Sequence, residues 1–265
     1  MLNMIHADLY KMYKSSAIKV LLGVSALCAL IMTIMAYLIP LGKIDTGNSG
    51  IGFLFSDVNI TSILGAAMAG IFICSDFENK SIHQAITCGC GRGTIIVGKA
   101  ISFFCAIAFI IIPYAVATGI GLGTGNKFSM GSLGLGFLNL LTQGEGKALE
   151  AGEIIKLLVV MLTLVIVYIA QLSLCVPLAV SIKKPVVVVA LYYGFTILTP
   201  QLQRLAENSP MLKDIILLTP FGGEHTLLNI GSGIDDIVKA FVVSIVFIAL
   251  MLSITYWLFR RVEVK

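Results

Sequence analysis

Charge is what this chain has least of. Only 12% of its 265 residues are Asp, Glu, Lys or Arg, while 58% are hydrophobic and the mean hydropathy is +0.99. A soluble domain carries about 25% charged residues. A soluble fold of this length could not hide so much apolar surface, so a bilayer is the solvent that accepts it. Histidine is scarce as well. His6, His83 and His225 fall in three separate segments and cannot assemble into one site. No βαβ alternation is present, and no paired catalytic groups lie inside the apolar runs, as an intramembrane protease would need. The runs hold no Asp, Glu or His near their centres. That argues against a proton- or sodium-coupled carrier, which would also bring inverted repeats.

The cysteines lack a metal pattern. Cys88-Gly89-Cys90 lies near His83, but C-x-C is not the C-x₂-C knuckle and no second ligand pair exists, so no metal site is expected. All six cysteines fall in apolar runs or on the inner side, where thiols stay reduced, and no disulfide is expected. A phosphate-binding loop is approached and missed. Gly93 to Ala100 reads G-T-I-I-V-G-K-A, with Ala100 where a hydroxyl should meet Mg²⁺. The segment lacks a preceding strand and is followed by an apolar run, so it predicts no nucleotide site. Gly91 and Gly93 are read as a bend between helices, and Lys99 as a basic anchor at the interface.

What is present is six apolar runs. They span roughly Ile18–Leu41, Asn59–Cys74, Lys99–Leu122, Ile154–Ile182, Pro185–Pro200 and Val238–Phe259. Each approaches the length of about 20 residues that a helix needs to cross hydrocarbon. The expectation is an all-α polytopic membrane protein, a single transmembrane domain over residues 1–265, with both ends on one side. Placing that side in the cytoplasm puts 11 of the 18 basic residues in four short inner segments, as the positive-inside rule favours.

The N-terminal segment reads as no cleavable signal, because Asp8 interrupts it and the first run is too long. Met1, Ile5, Leu9 and Met12 recur at helical spacing, with Lys11 and Lys14 elsewhere on the wheel. This fits an interfacial helix over residues 1–17, or else a short polar lead-in. Between the second and third runs lies Asp76 to Lys99, an inner loop over residues 75–98. Asp76 is placed to cap a helix whose first turn holds Glu78, and Phe77, Ile82 and Ile86 give it an apolar side. It is equally a lever for a soluble partner or a solvated loop.

Phe77-Glu78, Ser81-Ile82, Arg92, Ile95-Ile96 and Gly98-Lys99 together resemble the corresponding loop of ABC-2-type transporter permeases. Small bacterial permeases for peptide export or antibiotic-peptide resistance are similar in size. The resemblance implies that Asp76, Phe77, Glu78, Lys80, Ser81, Ile82, His83 and Arg92 form a coupling helix docking on a separate nucleotide-binding ATPase. Lys80-Ser81 and the Cys-Gly-Cys-Gly insert depart from the family's usual residues there. It further implies two ATPase copies holding ATP and Mg, a second permease copy, and no cofactor or catalytic site on this chain. The bilayer is a partner; nucleic acid is not. The implied activity is outward movement of an amphipathic peptide, antibiotic or lipid across the plasma membrane. The alternative is a membrane scaffold or assembly factor without transport.

Polar residues inside the runs mark an expected pathway. Gln171 and Ser173 in the fourth run and Tyr192 and Tyr193 in the fifth are placed facing a cavity between two copies. For Gln171 the alternative is a hydrogen bond that fixes packing. The outer segment from Gln201 to Lys239 is apolar enough to dip into the outer leaflet as short helices, since irregular backbone cannot face lipid.

Overall fold

In the computed structural model the described residues are 2–44, 54–130, 134–144, 151–206 and 210–261. All regular structure among them is helical. Helix α1 is Leu2–Lys14 and α2 is Ser16–Leu38. Helix α3 is Asp57–Glu78, α4 is Ser81–Thr87 and α5 is Arg92–Gly123. Then follow α6 (Gly136–Thr142), α7 (Ala151–Ser173), α8 (Cys175–Ile182) and α9 (Pro185–Ala206). The chain ends with α10 (Pro210–Leu217), α11 (Gly223–Thr226) and α12 (Ile234–Arg261). Helices α2, α3, α5, α7 with α8, α9 and α12 are the six long and apolar enough to cross a membrane. The protein is thus an all-α polytopic protein.

The crossing helices run past the apolar stretches at most ends. The second begins at Asp57 and continues to Glu78, and the third begins at Arg92. Charged and glycine residues mark the edge of hydrocarbon, not the end of a helix. At 1.5 Å per residue the 32 residues of α5 reach about 48 Å, well beyond a core about 30 Å thick. The correction matters most for Asp76, which sits in the last turn of α3 and caps nothing. The bend beyond it is made by Lys80 and Gly89, both at positive φ, while Gly93 lies inside α5.

Helices α3, α5 and α7–α8 form the core, and α2, α9 and α12 lie around it. Two irregularities shape the core. A π-helical turn, Gly70–Cys74, widens α3 where α9 begins. A Cβ on Gly70 would lie 2.8 Å from the Pro185 Cβ, so the two helices approach where only glycine fits. Pro113 lies inside a continuous α5 and removes one main-chain donor, and three residues earlier the Ser25 hydroxyl donates to the Ile110 carbonyl at 2.5 Å. Such side-chain donors take up backbone acceptors that hydrocarbon cannot satisfy.

The two ends of the bundle are closed differently. At one end α1, α4, the α8–α9 turn and the end of α12 meet. Lys11 reaches Asp76, Lys183 lies 5.3 Å over the Phe77 ring, and Arg92 donates to the Arg260 carbonyl at 3.0 Å. The described termini of the chain therefore share one side. At the opposite end α6, α10 and α11 fold back into the bundle. The main chain of Phe137 donates to Asp57 Oδ2 at 2.8 Å and that of Leu138 to Oδ1 at 3.3 Å; the Tyr168 hydroxyl also donates to Oδ2. Asn139 in α6 donates to the Leu227 carbonyl at 2.9 Å, which joins the two folded-back segments. Asp57 is fully buried, so α3 carries an acid at each end that the apolar runs did not include.

Gly136 has φ +61, and a Cβ there would overlap the Tyr168 hydroxyl and the Asp57 carboxylate. Gly136→Ala should therefore lower stability by about 2 kcal/mol or more, since strain at positive φ adds to the clash. Thermal unfolding in detergent checks this, with Gly123→Ala, which meets no atom within 4 Å, as the control.

Candidate functional site

The end of the bundle that holds the described termini, called inner after the orientation the basic residues favour, gathers a cluster of buried charge. Lys99, about two turns into α5, points its ammonium between two carboxylates. It lies 2.5 Å from Asp8 Oδ1 and 2.5 Å from Asp76 Oδ2. Lys11 adds a second ammonium 2.7 Å from Asp76 Oδ1. The Asp8 and Asp76 side chains are 9% and 2% exposed and that of Lys99 is 11% exposed, so water contributes little. Two acids and two lysines neutralise one another, the condition under which charge is tolerated in such surroundings. The Ser81 hydroxyl donates to Asp76 Oδ1 at 3.0 Å, which fixes the first residue of α4 to the last turn of α3. One carboxylate thus joins α1, α3, α4 and α5.

Helix α4 lies across this cluster. Ile82 is 4% exposed and covers a small apolar hollow walled by Ile95, Ile96, Val180 and Phe259. The end of α4 is closed by glycine: Gly89 donates to the Ile86 carbonyl and Cys90 to the Ala85 carbonyl, both at 3.0 Å. That pair of bonds around a residue at positive φ is the Schellman arrangement. Arg92, first residue of α5, donates to the Phe259 and Arg260 carbonyls at 3.4 and 3.0 Å. A cation on the last carbonyls of α12 stabilises the negative end of that helix.

The expected docking residues therefore divide. Glu78 and Lys80 are exposed, and Gln84, Thr87, Cys88 and Cys90 extend the same surface. Phe77 is turned inward, 6.1 Å from the Phe259 ring. Ser81 and His83 are half-buried. Asp76, Ile82 and Arg92 hold the segment together and do not present side chains to a partner. The reason is energetic: a carboxylate beside two ammoniums gains more from pairing than from facing solvent. Lys99, read as an interfacial anchor, is the centre of the cluster, and its segment is helical from Arg92 onward, with no phosphate-cradling loop.

The residues expected along a pathway make contacts within the chain. Gln171 is 8% exposed, and its amide donates to the Pro220 carbonyl at 2.8 Å. Its polar group is used within the chain, which is the packing role. Ser173 is fully buried and donates to the Ala170 carbonyl at 2.6 Å. Tyr192 is 1% exposed and directs its hydroxyl at Ser62 in α3. Tyr193, turned about 100° from it, is half-buried.

Pro220 and Phe221 instead belong to a folded-back loop that enters the bundle. The Phe221 ring meets Phe195 of α9 at 5.0 Å and Phe247 of α12 at 6.0 Å. Gln203 donates to the Phe221 carbonyl at 2.6 Å and His225 Nε2 donates to the Leu217 carbonyl at 3.0 Å. His225 is thus a brace for the loop. Glu224 stays exposed, 3.5 Å from Lys239, beside an outer pocket of about 240 Å³.

Sequence reasoning missed Asp8, Lys11, Asp57, Tyr168 and Asn139. A signal existed for Asp8 alone, which shares the helical stripe of Ile5 and Met12. No protein-family model matches the chain, and no curated protein matches it.

Lys99→Ala would strand the buried Asp8 carboxylate and leave Asp76 to Lys11, and removing one partner of a buried pair costs about 3–5 kcal/mol. A marked fall in unfolding temperature is expected, with Lys184→Ala, at an exposed position, nearly unchanged. Gln171→Leu leaves the Pro220 carbonyl without its donor, at about 1–3 kcal/mol. Its expected effect is faster protease cleavage in the 218–226 segment, read by mass spectrometry, with the inner end unaffected.

Proposed function

We propose that this chain is the membrane-spanning subunit of an ATP-driven exporter of the ABC-2 type, docking through α4 on a separate nucleotide-binding subunit. The observation that carries this reading is the construction of α4. It is a short helix braced into α1, α3 and α5 through Asp76, with Glu78, Lys80 and Gln84 left exposed on its outer side. A solvated loop needs no such bracing, whereas a segment that receives force from a partner does. Gln171 and Ser173 of the crossing helices make their hydrogen bonds within the chain, and the outer faces of α2, α9 and α12 are apolar. An amphipathic peptide or lipid-like substrate, moved along a surface shared with a second copy, suits such faces better than a hydrophilic one. ATP and Mg belong to the ATPase, and both described ends of this chain lie in the cytoplasm in this reading.

The test is co-purification with an ATPase from the native membrane, followed by Glu78→Ala/Lys80→Ala. The double variant should insert and fold normally, because both side chains are exposed, yet lose several-fold in ATPase retention. Normal retention and normal substrate-stimulated ATP hydrolysis in that variant would overturn docking through α4.

A further inference from the structure

The apolar stripe of α1 faces protein. Met12 is 4% exposed, and Met4 and Leu9 pack against the core. Met4 and Ile5 meet Gly98 of α5, where a Cβ would lie 3.7 Å from the Met4 sulfur. With Asp8 held by Lys99, the rotation of α1 about its axis is fixed. Its opposite face must then point sideways from the bundle, level with the start of α2 at Ser16, where the chain enters the apolar layer. That face carries Tyr10 and Tyr13, 60% and 78% exposed. Lys14 lies 5.1 Å from the Tyr10 ring centre and Lys19 lies 6.0 Å from that of Tyr13. Each ammonium is within cation–π range of an exposed ring, and neither lysine has a carboxylate within ion-pair distance among the described residues.

We propose that the Tyr10, Tyr13, Lys14 and Lys19 face binds anionic phospholipid headgroups. Two stacked ring–lysine pairs offer flat amphipathic surface at headgroup depth and two ammoniums for a phosphodiester. Tyrosine is enriched at that depth, and Lys beside a negative leaflet is attracted to it. A neutral headgroup places its own ammonium near the phosphate and would compete with these lysines. A second copy of the chain would bring the same positive charge to the face, so charge complementarity selects lipid. The assignment to the cytoplasmic leaflet rests on the orientation given above, whereas the binding itself does not require an ATPase.

The experiment uses the full chain in detergent, titrated with phosphatidylglycerol or phosphatidylcholine, with retained lipid counted by native mass spectrometry. Phosphatidylglycerol should be retained in preference to phosphatidylcholine. Replacing Lys14 and Lys19 by Gln should raise its half-saturation about five-fold per lysine. Tyr10→Leu/Tyr13→Leu should weaken retention, and Tyr10→Phe/Tyr13→Phe should restore it, since the ring face is kept. Equal retention of both lipids would overturn the site. So would an equal loss in Lys80→Gln/Lys184→Gln, which removes as much charge from the same end of the bundle. Efficient Tyr13→Cys cross-linking between copies in lipid-free detergent would assign the face to a second chain and overturn it too.

Discussion

A lysine ammonium without water beside it must find carboxylates, and Lys99 finds two. Asp8 arrives on α1 and Asp76 on α3, each 2.5 Å away. Neither acid would be stable in that position alone, because an unpaired buried charge costs several kcal/mol. The three groups are therefore mutually conditional. So are the helices that carry them. The N-terminal helix is held by an interaction that exists only once the core of the bundle has assembled. The segment between α3 and α5 is held the same way, through the Ser81 bond to Asp76.

The far end obeys the same rule with different chemistry. There the acid is Asp57, and its partners are a tyrosine hydroxyl and two main-chain amides. The short helix α6 could not be buried without an acceptor for its first amides, since helix ends leave such groups unsatisfied. Asp57 supplies it, and Asn139 passes the connection to the Leu227 carbonyl. Further in, Gln171 and Gln203 satisfy the carbonyls of Pro220 and Phe221. The Pro220–Phe221 loop enters the bundle where side-chain amides meet its carbonyls, which is the condition for non-helical chain at membrane depth.

The six crossing helices were legible because they depend on a property summed over about 20 neighbouring residues. The short helices around 210–226 followed from the ban on irregular backbone facing lipid. The polar connections were not legible, because each joins residues far apart in sequence. Lys11 and Asp76 are 65 positions apart, Asp8 and Lys99 are 91, and Asn139 and Leu227 are 88. Composition and periodicity carry no record of such pairs. The same blindness explains the reading of Asp76 as a helix cap, and it hid the Pro220 carbonyl as the acceptor for Gln171. The divergence of Tyr192 and Tyr193 was legible, since it is a local consequence of helical geometry.

This arrangement constrains what the inner end can transmit. Helix α4 has seven residues and touches solvent on one side. Its inward side is fixed to α3 through Ser81 and seated by Ile82 between α3 and α5, while Arg92 ties the start of α5 to the end of α12. A displacement of α4 cannot be absorbed locally, because its bracing bonds are short and its contacts are buried. It must move the inner ends of α1, α3, α5 and α12 together or break charge pairs that are costly to break. The π-helical turn at Gly70–Cys74 ends two residues before Asp76, and there α3 departs from regular hydrogen bonding. A displacement of α4 carried along α3 would meet that turn before it reached α9, which packs there at Pro185.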